Sequence, residues 1–162
     1  MELKINKPKF EVFLEIAEAL NKKYKIAPVL YGSLGLNRLI GEFGAVNDVD
    51  VLVPSRYIKE NWKEFKIFIE EQGFVLKDEH EHEFERKGIL LAFGKEEELK
   101  TFSGIDYAHL AVEDVGKVKF KVLNAKQYLR VYESMKRDEY RVEKRGKEDL
   151  DKIRRIKEYL KI

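Results

Sequence analysis

The hexapeptide DVDVLV, residues 48–53, is the feature that most restricts how this chain can fold. Side chains alternate between the two faces of a β-strand, so Asp48 and Asp50 would share one face with Leu52, while three valines would share the other. We expect the valine face to pack inside the protein, because two ionised carboxylates in an apolar interior would each cost several kcal/mol. The aspartate face must therefore meet solvent or a ligand, and Pro54 ends the strand.

The apolar run IAPVLYG is predicted to be an earlier strand and ends in Gly32. Gly32 and Ser33 then form a turn between that strand and DVDVLV. Glycine permits turns that other residues make with difficulty, and a serine at a helix start offers N–H groups and a hydroxyl to an anion. Asp48 and Asp50, about 7 Å apart along a strand, can converge on a divalent cation. Mg²⁺ prefers one or two carboxylates, waters and phosphate oxygens. The alternative is that both aspartates are ordinary turn and surface residues.

The remaining pattern predicts one mixed α/β domain over residues 1–162, with a core over residues 1–123 and helices over 124–162. Helices are predicted over residues 8–24 and 55–72, in KEEELKTF, from the cap Asn124 onward and around Leu150 to Leu160. Further strands are predicted in FVLKD, ILLAF and KVKFKVL. The basic stretch 136–147 is predicted to be a solvated loop, since acidic residues interrupt it.

Composition excludes several classes of protein. The chain has 32 basic and 30 acidic residues, so bulk charge gives no reason to expect a nucleic-acid-binding protein. It has no cysteine for a disulfide or a thiolate metal site, and it has neither a long apolar run nor an apolar N-terminal signal. We therefore expect a cytoplasmic protein without a membrane partner. The composition, rich in Lys, Glu and Ile, is typical of thermophile proteins. The oligomeric state stays open.

Two motifs carry a resemblance to a known family. The segment LYGSLGL, in which Gly-Ser is followed after 14 residues by DVDVLV, resembles the nucleotidyltransferase superfamily, which has the polymerase-β-like fold. The C-terminal GKEDLDKIRRI is similar to the Lys-Asp-Leu-x-Asp-Ile helix of lincosamide and aminoglycoside nucleotidyltransferases. This resemblance implies an α+β, nucleotidyltransferase-like fold: a small mixed central sheet with helices packed on one face and a C-terminal helical segment.

The same resemblance implies an activity. The chain would transfer a nucleoside monophosphate from a nucleoside triphosphate such as ATP to an unknown acceptor, with Mg²⁺ as the cofactor. Gly32 and Ser33 would hold the triphosphate, and Lys147 and Asp149 match the C-terminal motif, where the lysine would reach phosphate and the aspartate would orient it. Asp48 and Asp50 would be the catalytic metal ligands. The acceptor could be a small molecule, RNA or protein, although the near-neutral charge disfavours RNA. The alternative is a catalytically weakened member that binds a nucleotide or a partner.

The family usually has a third carboxylate on a later central strand, but the corresponding run here, ILLAF, has none. We expect Glu83, or else Glu81, to replace it from a neighbouring strand, and Asp106 is a further candidate. A competing hypothesis is a transition-metal site made of Asp78, His80 and His82, which would share one face of a strand. A charged hairpin edge would explain the same residues.

Overall fold

The computed structural model describes residues 6–41, 46–136 and 139–162, with the backbone alone for residues 139–142, 144 and 145. The helices are α1 (Lys7–Tyr24), α2 (Gly32–Ile40), α3 (Trp62–Glu71), α4 (Glu98–Ser103), α5 (Ala125–Met135) and α6 (Glu139–Leu160). The strands are β1 (Val29–Tyr31), β2 (Val49–Val53), β3 (Val75–Asp78), β4 (Glu83–Arg86), β5 (Ile89–Lys95), β6 (Ala111–Val115) and β7 (Val118–Val122). Within the described ranges, no helix is long and apolar enough to cross a membrane.

The seven strands form a mixed sheet in the order β3-β4-β5-β2-β1-β7-β6. The two central strands, β1 and β2, are antiparallel to each other, and each has a parallel neighbour on its other side, β7 and β5 respectively. The prediction of an α+β fold with a mixed central sheet is confirmed. The sheet is held in place by helices from both ends of the chain.

Helices pack against both faces of the sheet, so the expectation that they cover one face is wrong. The three valines of β2 join a core with α1 and α3, which includes Phe13 and Phe65. Leu52 of the same strand joins a second core with α4, α5 and α6, which includes Tyr128 and Ile156. The physical reason is that the central strands carry apolar residues on both faces, and each face must be covered.

Two segments differ locally from the predictions between residues 55 and 85. The predicted helix over 55–72 is a 3-10 turn at Ser55–Tyr57 followed by α3, which begins at Trp62. Ser55 does not cap a helix: its N–H donates to Glu97 Oε1 over 3.0 Å, and its hydroxyl donates to Glu97 Oε2 over 3.3 Å. Residues 79–82 form the turn between β3 and β4, with His82 at φ +51°, so Glu81 does not continue the strand that carries Glu83.

The C-terminal part confirms one helix prediction and corrects others. Asn124 caps α5 through a reciprocal capping box with Gln127. The stretch predicted to be a basic loop is helical from Glu139 onward, and residues 137–138 lie outside the described part. Leu150, where the final helix was predicted to begin, lies within α6 and is 55% exposed. The strand β6 lies at the edge of the sheet, pairs only with β7 and is mostly exposed. It was not predicted, because its sequence AVEDV lacks a clear alternation of apolar and polar residues.

Candidate functional site

The β1–α2 turn places Gly32 directly against Asp50. Gly32 has φ +68°, a left-handed conformation that L side chains rarely adopt. A Cβ atom there would collide with the Asp50 side chain, whose Cγ would lie 3.0 Å away. In the first turn of α2, Asn37 Nδ2 donates to the carbonyl of Ser33 over 2.7 Å. A glycine is therefore needed for both the backbone turn and the close approach of the carboxylate.

The aspartate strand has the two faces that its sequence predicts. Val49, Val51 and Val53 are fully buried. Asp50 is half-buried and pairs with Tyr31 in the β1–β2 ladder, and Asp48 is half-buried just before the strand begins. The valines therefore anchor the strand from one side while the carboxylates remain on the other side.

A cleft of about 590 Å³ opens on the carboxylate side. The sequence-predicted residues that line it are Gly32, Ser33, Asp48, Asp50 and Glu81. The sheet forms its floor, and residues of α5 and α6 form the opposite wall, among them Tyr132 and Lys152. Its volume is within the range of about 300–1,000 Å³ that is common for small-molecule sites.

Strand register places Glu83 in the same row as Asp50. Asp50 lies beside Ala92 of β5, and Ala92 lies beside Glu83 of β4, so the three side chains share one face of the sheet. Ala92 stands at the position next to Asp50 where an acid was expected on ILLAF. Its side chain is only a methyl group, and it lines the cleft.

Electrostatics connects Glu83 with the aspartate pair. Partial burial raises the pKa of Glu83 above its ordinary value, and the nearby charges of Asp48, Asp78 and Glu81 raise it further. A carboxyl group with a raised pKa takes up a proton more readily near neutral pH, which suits a general base. Glu83 thus lies in the same row as Asp50 and has a raised pKa, although it is not among the residues that line the cleft.

The C-terminal motif contributes different residues from those its sequence suggested. Lys147 is exposed and Asp149 is 3% exposed, and neither lines the cleft. The α6 residues that do line it are Glu148, Asp151 and Lys152. Lys152 places its Nζ 5.1 Å from the centre of the Tyr132 ring. Sequence reasoning missed Lys152, which lies one helical turn beyond Glu148 and therefore on the same face.

Two other candidates lie elsewhere. Asp106 is exposed before a 3-10 turn, where it accepts from the Ala108 N–H and lies 2.6 Å from His109 Nδ1. The His82 ring packs edge-on against Trp62, with 4.6 Å between ring centres, and His80 is exposed in the hairpin turn. Among the described residues, no three His, Asp or Glu side chains are grouped so that they could hold a metal ion by themselves.

The charge of the cleft suits a cation. Among the described residues that line the cleft, one is basic, Lys152, and six are acidic. The acidic residues are Asp48, Asp50, Glu81, Glu98, Glu148 and Asp151. Mg²⁺ characteristically takes one or two protein carboxylates and completes its shell with water and phosphate oxygens. Asp48 and Asp50 beside the start of α2 fit that requirement, since a helix start accommodates phosphate.

A row of three stacked tyrosines, missed as a site feature by sequence reasoning, has its two outer rings at the cleft and its middle ring buried in the core. Tyr31 stacks on Tyr128 and Tyr128 on Tyr132, with ring centres 6.5 and 6.4 Å apart. Tyr128 is buried, and burial raises the pKa of its hydroxyl well above the ordinary value. Tyr31 and Tyr132 line the cleft. These rings join α5 to β1, the strand that ends at Tyr31, directly before Gly32.

Comparison with known proteins gives a relative that matches most of the chain. A Bacillus subtilis (strain 168) protein described as "Uncharacterized protein YnaI" is 35% identical over 144 residues, which cover 89% of this chain and 92% of YnaI. The chain belongs to the YnaI family. No protein-family model matches the chain. No solved structure matches it. Membership of the YnaI family assigns no activity, so a functional conclusion depends on the site.

Proposed function

We propose that the chain is an Mg²⁺-dependent nucleotidyltransferase with a nucleotidyltransferase-like fold, which transfers a nucleoside monophosphate from a nucleoside triphosphate to an acceptor hydroxyl. The observation that carries this proposal is the close approach of Gly32 to Asp50. The free N–H groups at the start of α2 can bind an anion and lie beside a carboxylate pair, and a metal–triphosphate complex requires this combination.

Each residue of the site has a role in this proposal. The backbone of Gly32 and Ser33, with the serine hydroxyl, would donate hydrogen bonds to the phosphates. Asp48 and Asp50 would hold Mg²⁺, which would supply charge neutralisation on the phosphates. Lys152, rather than Lys147, is the α6 lysine expected to contact phosphate, because it lines the cleft.

The transfer step uses Glu83 as the base. The acceptor oxygen forms a bond to the α-phosphorus while the bond from that phosphorus to the bridging oxygen of the β-phosphate breaks. Pyrophosphate leaves with that bonding pair, and the acceptor proton goes to the Glu83 carboxylate. Ala92, which lies between Glu83 and Asp50 in the sheet, carries only a methyl group.

The acidic residues of the cleft make triphosphate binding dependent on a divalent cation in this proposal. A triphosphate brings several negative charges into a cleft whose described lining has six acids and one base. Like charges within a few ångströms repel strongly at low dielectric. Triphosphate binding should therefore be negligible without a divalent cation.

A thermal-shift titration with nucleoside triphosphates, with and without Mg²⁺, tests the proposal. Ligand at about one hundred times its dissociation constant should add roughly 2.7 kcal/mol to the free energy of unfolding. Asp50→Asn should remove the Mg²⁺-dependent shift. Asp114→Asn, on the edge strand β6 and outside the cleft, is the matched control and should keep it. Binding that survives Asp50→Asn unchanged, or no binding at all, would refute the proposal.

A second candidate is a nucleotide- or partner-binding protein that has lost catalysis. The observation that favours it is Ala92, since β5 carries no acid beside Asp50. Transfer from radiolabelled nucleotide to a panel of hydroxylated small molecules, RNA and protein separates the two. Mg²⁺-dependent binding without pyrophosphate release on any acceptor would favour this second function.

A further inference from the structure

A second cavity of about 310 Å³ adjoins the acidic cleft. The two cavities share four lining residues: Tyr31, Leu52, Glu98 and Met135. The other walls of this cavity come mainly from α4 and α5, with Leu99, Phe102 and Val131 as its apolar surface. We call this cavity the α4–α5 recess.

We propose that the α4–α5 recess binds the base of the nucleotide whose phosphates occupy the cleft, and that it prefers a base with an exocyclic amino group. This inference rests on the proposed function. It follows from the position of Tyr31, which directly precedes Gly32 and lines both cavities. A ligand held by its phosphates at Gly32 and Ser33 passes Tyr31 to enter the recess.

The walls of the recess suit a flat, uncharged ring. They are mostly apolar, in contrast to the acidic cleft next to them. Phe102 is 63% exposed on α4, an unusual situation for a large aromatic side chain. Every base has a π-face that stacks on aromatic rings, so a base beside Phe102 would cover this exposed ring.

Two hydrogen-bonded serine hydroxyls give the α4–α5 recess its preference for an amino group. Ser134 Oγ donates its proton to the Val131 carbonyl over 2.7 Å, because a carbonyl can only accept. Ser103 must then be the donor in its 2.9 Å contact with Ser134. With its own proton used, Ser103 Oγ offers a ligand in the recess only lone pairs. An amino group can donate to these lone pairs, whereas a carbonyl oxygen cannot.

Isothermal titration with Mg²⁺ complexes of paired nucleotides tests the preference. ATP and inosine triphosphate differ in an amino group against a carbonyl, and CTP and UTP differ in the same way. We expect the amino member of at least one pair to bind about fivefold or more tightly, the effect of one net hydrogen bond. Ser103→Ala should abolish this difference and leave the binding of Mg²⁺–tripolyphosphate unchanged.

A substitution of Phe102 tests whether the nucleotide base stacks on its ring. Phe102→Ala should weaken ATP binding about five- to tenfold, the lower part of the range for base stacking, because the ring is already solvent-exposed. It should not change the binding of Mg²⁺–tripolyphosphate. Val112→Ala is the matched control, since Val112 is 56% exposed on β6 and lines neither cavity.

The results of these experiments separate a failure of the recess assignment from a failure of the proposed nucleotidyltransferase function. If tripolyphosphate binds in an Asp50-dependent way, but ATP binds no more tightly and Phe102→Ala changes nothing, the recess assignment is wrong and the phosphate site stands. If Phe102→Ala raises only the KM for the acceptor, the recess holds the acceptor and the assignment is also wrong. If neither ATP nor tripolyphosphate binds, the proposed function itself fails.

Discussion

Moving the third acid from one strand to the next is the sharpest test of the site. Glu83 lies two strands from Asp50, with Ala92 between them. Neighbouring strands are about 4.8 Å apart, so the two acidic residues have Cα atoms roughly 10 Å apart. An aspartate at position 92 would lie half as far from Asp50. We therefore expect Ala92→Asp to supply a carboxylate that can replace Glu83.

The expected magnitudes follow from general-base catalysis. Glu83→Gln should lower kcat about 10²- to 10⁴-fold, the usual contribution of a base, while the dissociation constant for the Mg²⁺–nucleotide changes little. Ala92→Asp in the Glu83→Gln background should recover at least about tenfold of that loss. Pyrophosphate release with an accepted substrate measures both changes.

A control on the same strand isolates the role of Glu83. Glu85 also lies on β4 and on the same sheet face, but it pairs with Leu90 rather than Ala92 and is therefore farther from Asp50. Glu85→Gln should leave kcat within about twofold. A Glu83→Gln variant with full activity, or a loss equal to that of Glu85→Gln, would refute the assignment of the base.

Three further predictions concern stability. Gly32→Ala and Gly116→Ala both place a side chain at positive φ, but only the new Cβ at Gly32 would collide with a neighbour, Asp50. Gly32→Ala should therefore lower the free energy of unfolding by about 1 kcal/mol or more beyond the effect of Gly116→Ala, as measured by chemical denaturation. Asn124→Ala should cost about 1 kcal/mol by removing the capping box, and it should lower the melting temperature by about 2–4 °C without changing nucleotide binding. Because the pKa of Glu83 is raised in the folded protein, its contribution to stability is present below the ordinary glutamate pKa and is lost as the pH rises through the folded-state value. Glu83→Gln should therefore raise the melting temperature at pH 7 relative to wild type, and this gain should vanish near pH 3.

The aspartate face and the glycine turn could be predicted because their signals are local. An alternation of period two is enough to separate Asp50 from its neighbouring valines, and Gly32 marks the turn by its residue type alone. The choice among Glu81, Glu83 and Asp106 could not be made from sequence. It depends on where the hairpin turn begins and on the register of two strand pairs, and a shift of one residue reverses the face of every side chain.

The opposite wall of the cleft was predicted less well for a similar reason. The C-terminal motif indicated a helix, but which side of α6 faces the sheet is set by packing between α5 and α6. That packing buries Asp149 and turns Lys152 into the cleft. The positive and negative charges of this helix alternate along the sequence, so its charge pattern alone gives no preferred face.

The contact between α5 and the β1–α2 unit can be measured directly. A Cβ atom at Gly35 of α2 would collide with the Tyr128 hydroxyl and lie 3.3 Å from Leu30 Cγ. Gly35→Ala should therefore destabilise the protein by about 1–3 kcal/mol, the usual cost of overpacking. Tyr128→Phe alone should cost little, because the hydroxyl's hydrogen bond to the Leu30 carbonyl is long, at 3.5 Å.

Combining these two substitutions tests whether the clash itself is responsible. Tyr128→Phe removes the atom that collides, so Gly35→Ala should cost at least about 1 kcal/mol less in the Tyr128→Phe background than in the wild type. Urea denaturation of the four proteins measures this coupling free energy. Additive costs would show that Tyr128 does not pack against Gly35. The stacking of Tyr31 on Tyr128 would then remain as a contact that fixes α5, and with it the α5–α6 wall of the cleft, against the β1–α2 unit.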